Sequence, residues 1–166
     1  PQTRVDDSHL SDYDKKKFVT DDVIKISKTG STDVNYKRTA AGAWIPSVPT
    51  APMTTTGSGE TFTATFPNDF SSILENQSTP ANFWKSNRLI ATATATGNRV
   101  SFSFAPAACK ITIIVSFLVD NSCGSAEVTG KGLCSGNATE ETITLLKTSE
   151  AVRRHTYSGI FSPKAA

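Results

Sequence analysis

The sequence predicts an all-β fold, a two-sheet β-sandwich, and three observations carry that prediction. Short stretches alternate apolar residues with Thr or Ser at period two, the pattern of strands with one buried face. Gly, Pro, Asn or Asp interrupts the chain roughly every eight to twelve residues, the punctuation of strands joined by turns. Long helical periodicity is missing, and the abundance of Thr suits pleated surfaces. A chain of 166 residues fits one domain with a real core. We expect a polar N-terminal segment over 1–21 and a β-sandwich domain over 22–166.

The elements follow in order. Residues 22–27 alternate, placing Ile24 and Ile26 on one face and Val23 and Lys25 on the other. Residues 34–37 pair back across a turn at 29–33, and Ala43, Trp44 and Ile45 make a short third strand ended by Pro46. Residues 46–59, with three prolines and two glycines, form a loop. Over 60–66 the alternation of Phe62, Ala64 and Phe66 against Thr turns an apolar face to the core. Residues 67–87 are irregular, with one helical turn expected near 71–75 and the aromatic pair Phe83 and Trp84 beyond it. Residues 88–95 and 99–104 form a hairpin about Thr96, Gly97 and Asn98, aligning Val100, Phe102 and Phe104. Residues 110–119 are the most apolar stretch and are expected to be a central strand, with Ile111, Ile113 and Val115 in the core. Strands over 125–131, 140–147 and 157–161 complete a set of nine or ten, and two sheets then bury their apolar faces against each other.

A net charge of +2 with scattered basic residues is too weak a field to attract nucleic acid. The run of Lys15, Lys16 and Lys17 follows Asp6, Asp7, Asp12 and Asp14, so it reads as a solvated mixed-charge loop. The longest apolar stretch, 111–119, falls well short of the roughly 20 residues a helix needs to cross a bilayer. Pro1 opens no signal peptide, so export would rest on a targeting segment removed earlier.

No residues are arranged for catalysis, and no cofactor or metal is expected. His9 and His155 lie near opposite ends of the chain, outside any cluster with metal-ligand spacing; His9 reads as a solvated tail residue and His155, next to Arg153 and Arg154, as a loop residue. Nucleophile elbows, phosphate loops and dinucleotide fingerprints do not occur. The carboxylate pairs Asp6 and Asp7, Asp21 and Asp22, and Glu140 and Glu141 are adjacent in sequence, so on strands they diverge to opposite faces. Trp44, Phe83 and Trp84 could form a platform for sugar rings, and the other use of such residues is to cap a core. Lys110 opens an apolar strand as an edge lysine. Among the three cysteines, a hairpin of 110–119 with 125–131 would bring Cys109 near Cys134 and leave Cys123 in the turn, so a Cys109–Cys134 disulfide is geometrically possible.

The stretch from Val100 to Ile113, in which an alternating Phe strand meets an apolar strand opened by Lys110, resembles the central signature of the fimbrillin family, the type V pilus subunits and relatives of anaerobic Gram-negative bacteria. Thr3 and Arg4 resemble the Thr-Arg element after the family's first strand. Phe18 with residues 22–26 resembles its Phe-x-x-Gly-Asp-x-Ile-Gly-Val, with Asp21 in place of the first Gly and Lys25 in place of the second. Trp44 matches an aromatic ending the third strand, and Phe83-Trp84 matches an aromatic–Trp pair before a Leu-Ala step, here Leu89, Ile90 and Ala91. Pro106 stands where the family often has His. The resemblance implies a transthyretin-like β-sandwich, an outer-surface lipoprotein precursor whose anchor lies outside this chain, a second domain, and assembly with other pilus subunits or itself by strand exchange. It also implies Arg4 as a protease processing site and a host surface or glycan as a further partner. The rival readings are a carbohydrate-binding surface module of a glycan-uptake system and a secreted hydrolase. The first would need Trp44, Phe83 and Trp84 in an exposed patch, and the second a cleft with a perturbed titratable pair.

Overall fold

In the computed structural model, which describes residues 18–47, 52–120 and 123–163, the fold is all-β and sandwich-like, with eleven strands and one short helix. Contacts divide the described chain into two compact units, one of residues 18–47, 52–70 and 88–106, the other of residues 71–87, 107–120 and 123–163.

The first unit is one antiparallel sheet. Its strands are β1 (Val23–Lys28), β2 (Val34–Arg38), β3 (Trp44–Pro46), β4 (Thr61–Phe66), β5 (Leu89–Thr94) and β6 (Ala105–Pro106), in the spatial order β3-β2-β1-β4-β5-β6. The turn at 29–33 sets the register of Ile26 opposite Val34, as the sequence predicts. Phe62, Ala64 and Phe66 are buried and join Ile24, Leu89, Ala91 and Phe104 in the apolar core of this unit. Phe18 packs edge-on against Trp44, Phe66 and Phe104 at 5.0–5.5 Å between ring centres.

The approach to β1 is a tight turn in which the Val19 amide donates to the Asp22 carboxylate at 2.7 Å. Asp21 takes φ 70° there. That left-handed conformation favours glycine, the residue the family pattern has at this position.

The hairpin expected over 88–104 forms only at its ends. Thr96 bridges Arg99 at the turn, and Leu89 and Ile90 pair with Pro106 and Ala105 in the same register. Between them residues 100–104 leave the ladder, while Phe104 still turns into the core. Side-chain burial rather than backbone pairing holds this stretch.

The second unit contains α1 (Pro80–Ser86) and the strands β7 (Cys109–Ser116), β8 (Glu127–Lys131), β9 (Glu140–Thr144), β10 (Leu146–Ala151) and β11 (Arg154–Phe161). The helix starts where Thr79 caps it, its hydroxyl accepting from the Asn82 amide, with Pro80 in the first turn. The helical turn expected near 71–75 is therefore displaced to 80–86. The Ser86 hydroxyl then accepts from the Leu74 amide at 3.0 Å and donates to the Asn82 carbonyl, tying the helix to the strand-like segment before it.

The strand β7 does not return as a hairpin with 125–131. It pairs antiparallel with β11 in a sheet ordered β10-β11-β7, while β8 pairs with β9. The strongest apolar strand thus lies at a sheet edge rather than at its centre, and the expected core places of Ile111, Ile113 and Val115 are not realised: Ile111 is exposed and the other two are half-buried. The centre belongs to β11, where Tyr157, Ile160 and Phe161 are buried together with Ile143, Leu145 and Leu146. The stretch over 140–147 divides between β9 and β10.

Candidate functional site: an open sheet edge

Which backbone groups β7 offers follows from its neighbour. In an antiparallel ladder a residue's amide and carbonyl point together to one side, and successive residues alternate. Gln77 decides the phase: its amide nitrogen donates to the Ile160 carbonyl at 2.8 Å, and its oxygen accepts from the Ile160 amide at 2.8 Å. Ile160 thus turns its polar groups away from β7, and its partner Lys110 is a non-hydrogen-bonded pair. The next pair, Gly159 with Ile111, is hydrogen-bonded, and so are Ile113 and Val115 with theirs. The amide of Phe117, donating to the Arg153 carbonyl at 2.9 Å, keeps the same phase. The amides and carbonyls of Thr112, Ile114 and Ser116 therefore face the outer edge, where no strand among the described residues pairs with them.

Side chains on this edge are apolar and accessible. Ile111 is 45% and Ile114 51% exposed, and just beyond the strand Leu118 and Val119 are more so. The strand is eight residues long and contains no proline. Such an edge is a template for another strand, because it offers backbone groups that no described strand pairs, beside the apolar Ile111 and Ile114.

Behind the edge, β11 carries a buried polar cluster that sequence reading missed. His155, expected in a loop, lies instead on β11 and is 2% exposed because its register there turns it inward beside Tyr157. Its Nε2 lies 3.3 Å from Glu150 Oε1, and its Nδ1 accepts from the Cys123 amide at 3.4 Å. The Tyr157 hydroxyl donates to the Cys123 carbonyl at 2.7 Å. Burial above all, then a hydrogen bond with the Cys123 side chain and the electrostatic effect of Cys123 and Glu150, pushes the Tyr157 phenol up to about 12, so it remains a neutral donor at physiological pH. These contacts anchor the start of the 123–126 segment, a structural role.

The other residues singled out from sequence fall in different places. Trp44 is half-buried on β3, with the Arg38 guanidinium 5.7 Å from its ring. Phe83 and Trp84 are buried on α1, edge to face at 4.9 Å, so neither presents a ring to a sugar. Of the platform, only Trp44 keeps access to solvent. All three cysteines are free thiols, and the β7 hairpin on which a Cys109–Cys134 bridge depended does not form. Burial, with Glu141 and Glu75 nearby, raises the Cys134 thiol to about 11 and makes it a poor nucleophile. Lys110 is exposed on the edge strand. Arg4 and His9 lie outside the described residues.

Comparison with known proteins gives a likeness of fold. The chain resembles the crystal structure of a candidate cell adhesion protein from Bacteroides ovatus with a TM-score of 0.59 and 16% identity, over 97% of this chain and 75% of that one. No protein-family model and no curated protein matches the sequence.

Proposed function

We propose that the chain is a fimbrillin-like structural protein of the bacterial cell surface, which adheres or assembles by taking up a β-strand from another polypeptide at the outer edge of β7. The observation that carries this reading is the outer edge of β7, which no strand among the described residues pairs: outward amides and carbonyls at Thr112, Ile114 and Ser116, flanked by exposed Ile111 and Ile114. The fimbrillin resemblance over 100–113 and the fold shared with the Bacteroides ovatus protein support the same reading. Under it the chain is exported, held at the outer membrane through a lipidated precursor, processed at Arg4, and partnered by further subunits. It performs no catalytic turnover.

The test is a synthetic strand of alternating apolar residues, drawn from the precursor's upstream or terminal sequence, titrated while thermal unfolding is followed. A ligand at 100 times its Kd stabilises the folded state by about 2.7 kcal/mol, which for a chain of this size raises Tm by about 5–10 °C. Ile114→Pro should abolish the shift, because it removes an outward amide without touching the β11 ladder. Ile114→Lys, which keeps the amide and adds an edge charge, should weaken it. No shift at saturating peptide would remove strand uptake from the account.

A further inference from the structure

The first unit holds a cavity of about 680 Å3, within the range of roughly 300–1,000 Å3 typical of small-molecule sites. Its walls include Phe18, Trp44, Phe62, Val100 and Phe102, and Arg38 is the one charged side chain among the described lining residues. The sheet creates this space: between the two paired ends of the β5 hairpin, residues 100–104 leave the ladder, and Val100 and Phe102 stay half-buried along the wall. The Tyr36 hydroxyl accepts from the Met53 amide at 2.8 Å.

That inventory decides the chemistry of an occupant. A sugar needs several convergent hydrogen-bonding groups, and among the described lining residues only Tyr36, Arg38 and Trp44 carry one, the rest being apolar. An apolar body suits them, since its burial gains about 25 cal/mol per Å2. Arg38 supplies the polar end. Its guanidinium is stacked on Trp44 and gives one N–H to the Gly42 carbonyl at 3.1 Å, leaving donors over from its five. Among the described residues no carboxylate forms an ion pair with it. A charged donor held in the wall of a mostly apolar cavity matches a carboxylate on a hydrocarbon body.

We infer that this cavity binds a small anionic amphiphile, a hydrocarbon carboxylate whose chain lies against Phe18, Phe62 and Phe102 and whose head meets Arg38. The described lining residues all belong to the first unit. Such a site would give a surface protein a means of sensing or holding acyl carboxylates independently of strand uptake.

Isothermal titration of the folded chain with decanoate, kept below micelle formation, tests the assignment, with decyltrimethylammonium as the probe of equal tail and opposite charge. Saturable binding of one decanoate per chain is expected, on the order of tenfold tighter than the cation. Arg38→Gln should weaken decanoate by a similar factor and leave the cation unchanged, and Val100→Trp should block both by filling the space. The head-group comparison needs no variant, so it decides the matter even where a substitution disturbs folding. Equal affinity for the two head groups, or no saturable decanoate binding, would overturn the inference. Binding of an apolar peptide in the cavity where decanoate fails would overturn it in favour of a polypeptide occupant.

Discussion

Gln77 offers the sharpest test of how the β11 edge is organised. Its side chain is fully buried and makes three hydrogen bonds, from its amide nitrogen to the Leu74 and Ile160 carbonyls at 2.9 and 2.8 Å and to its oxygen from the Ile160 amide at 2.8 Å. It replaces a strand where β10 ends, since the β10 ladder stops at the pair of Leu146 with Ser158. Gln77→Ala strands the amide and carbonyl of Ile160, a residue only 2% exposed. Each unsatisfied buried group costs about 1–3 kcal/mol, and a water entering the truncated space recovers part, so the net loss for the two is about 2–4 kcal/mol. Against a typical stability of about 5–15 kcal/mol that is large. Urea denaturation followed by circular dichroism reads it as a fall in midpoint at constant slope. Gln77→Glu should be worst at neutral pH, where a carboxylate would face two carbonyls. Its pKa in the folded state is then raised above the unfolded value, so stability recovers as pH falls. The neighbouring Ser78→Ala, at an exposed site, should stay within about 0.5 kcal/mol. A loss below about 1 kcal/mol for Gln77→Ala would refute the strut and, with it, the phase assigned to β7.

Three further outcomes follow from the same structure. Phe104→Ala, in the core of the first unit, should cost about 3–5 kcal/mol in urea unfolding, whereas Ile111→Ala on the exposed edge should cost under about 1 kcal/mol. Asp21→Gly should be neutral or stabilising by up to about 1 kcal/mol, because relief of φ 70° outweighs the exposed 2.8 Å ion pair with Lys37, and a loss above that size would contradict the argument. The Thr55 hydroxyl, the Thr56 amide at 2.8 Å and the Lys28 ammonium at 3.0 Å hold the Glu60 carboxyl down at about 2. A depressed carboxyl stabilises above its unfolded pKa of about 4.5 and loses that contribution as pH falls towards 2. The gap in denaturation midpoint between wild type and Glu60→Gln should therefore be wide at pH 7 and close across that window.

Period-two patterning located β1 and β4, whose buried residues lie on one face, while turn residues placed β2 and β5. The patterning failed at β7. Apolar residues on both faces normally mean a strand covered on both sides, yet here the same pattern marks an edge whose partner is no strand among the described residues. Nothing local separates the two cases, since pairing is set by β11, some forty residues later in the chain. The loss of the ladder over 100–104 was hidden for a related reason: Phe102 and Phe104 alternate as a strand does, and only the pairing differs. The helix at 80–86 was legible, with Thr79 and Pro80 as a cap and first-turn pair, but the aromatic residues within it drew attention as a platform instead. The phase of the edge depended on Gln77, whose role no spacing rule reveals.

Amide hydrogen exchange along β7 tests the central claim most directly. In the free protein the amides of Thr112, Ile114 and Ser116 should exchange fast, while those of Ile111, Ile113 and Val115, bonded to β11, should be protected. Saturating strand peptide should then slow Thr112, Ile114 and Ser116 and leave the other three largely unchanged. Uniform protection along β7 in the free protein, or fast exchange at Thr112, Ile114 and Ser116 that persists with peptide, would contradict an edge open to a partner's strand.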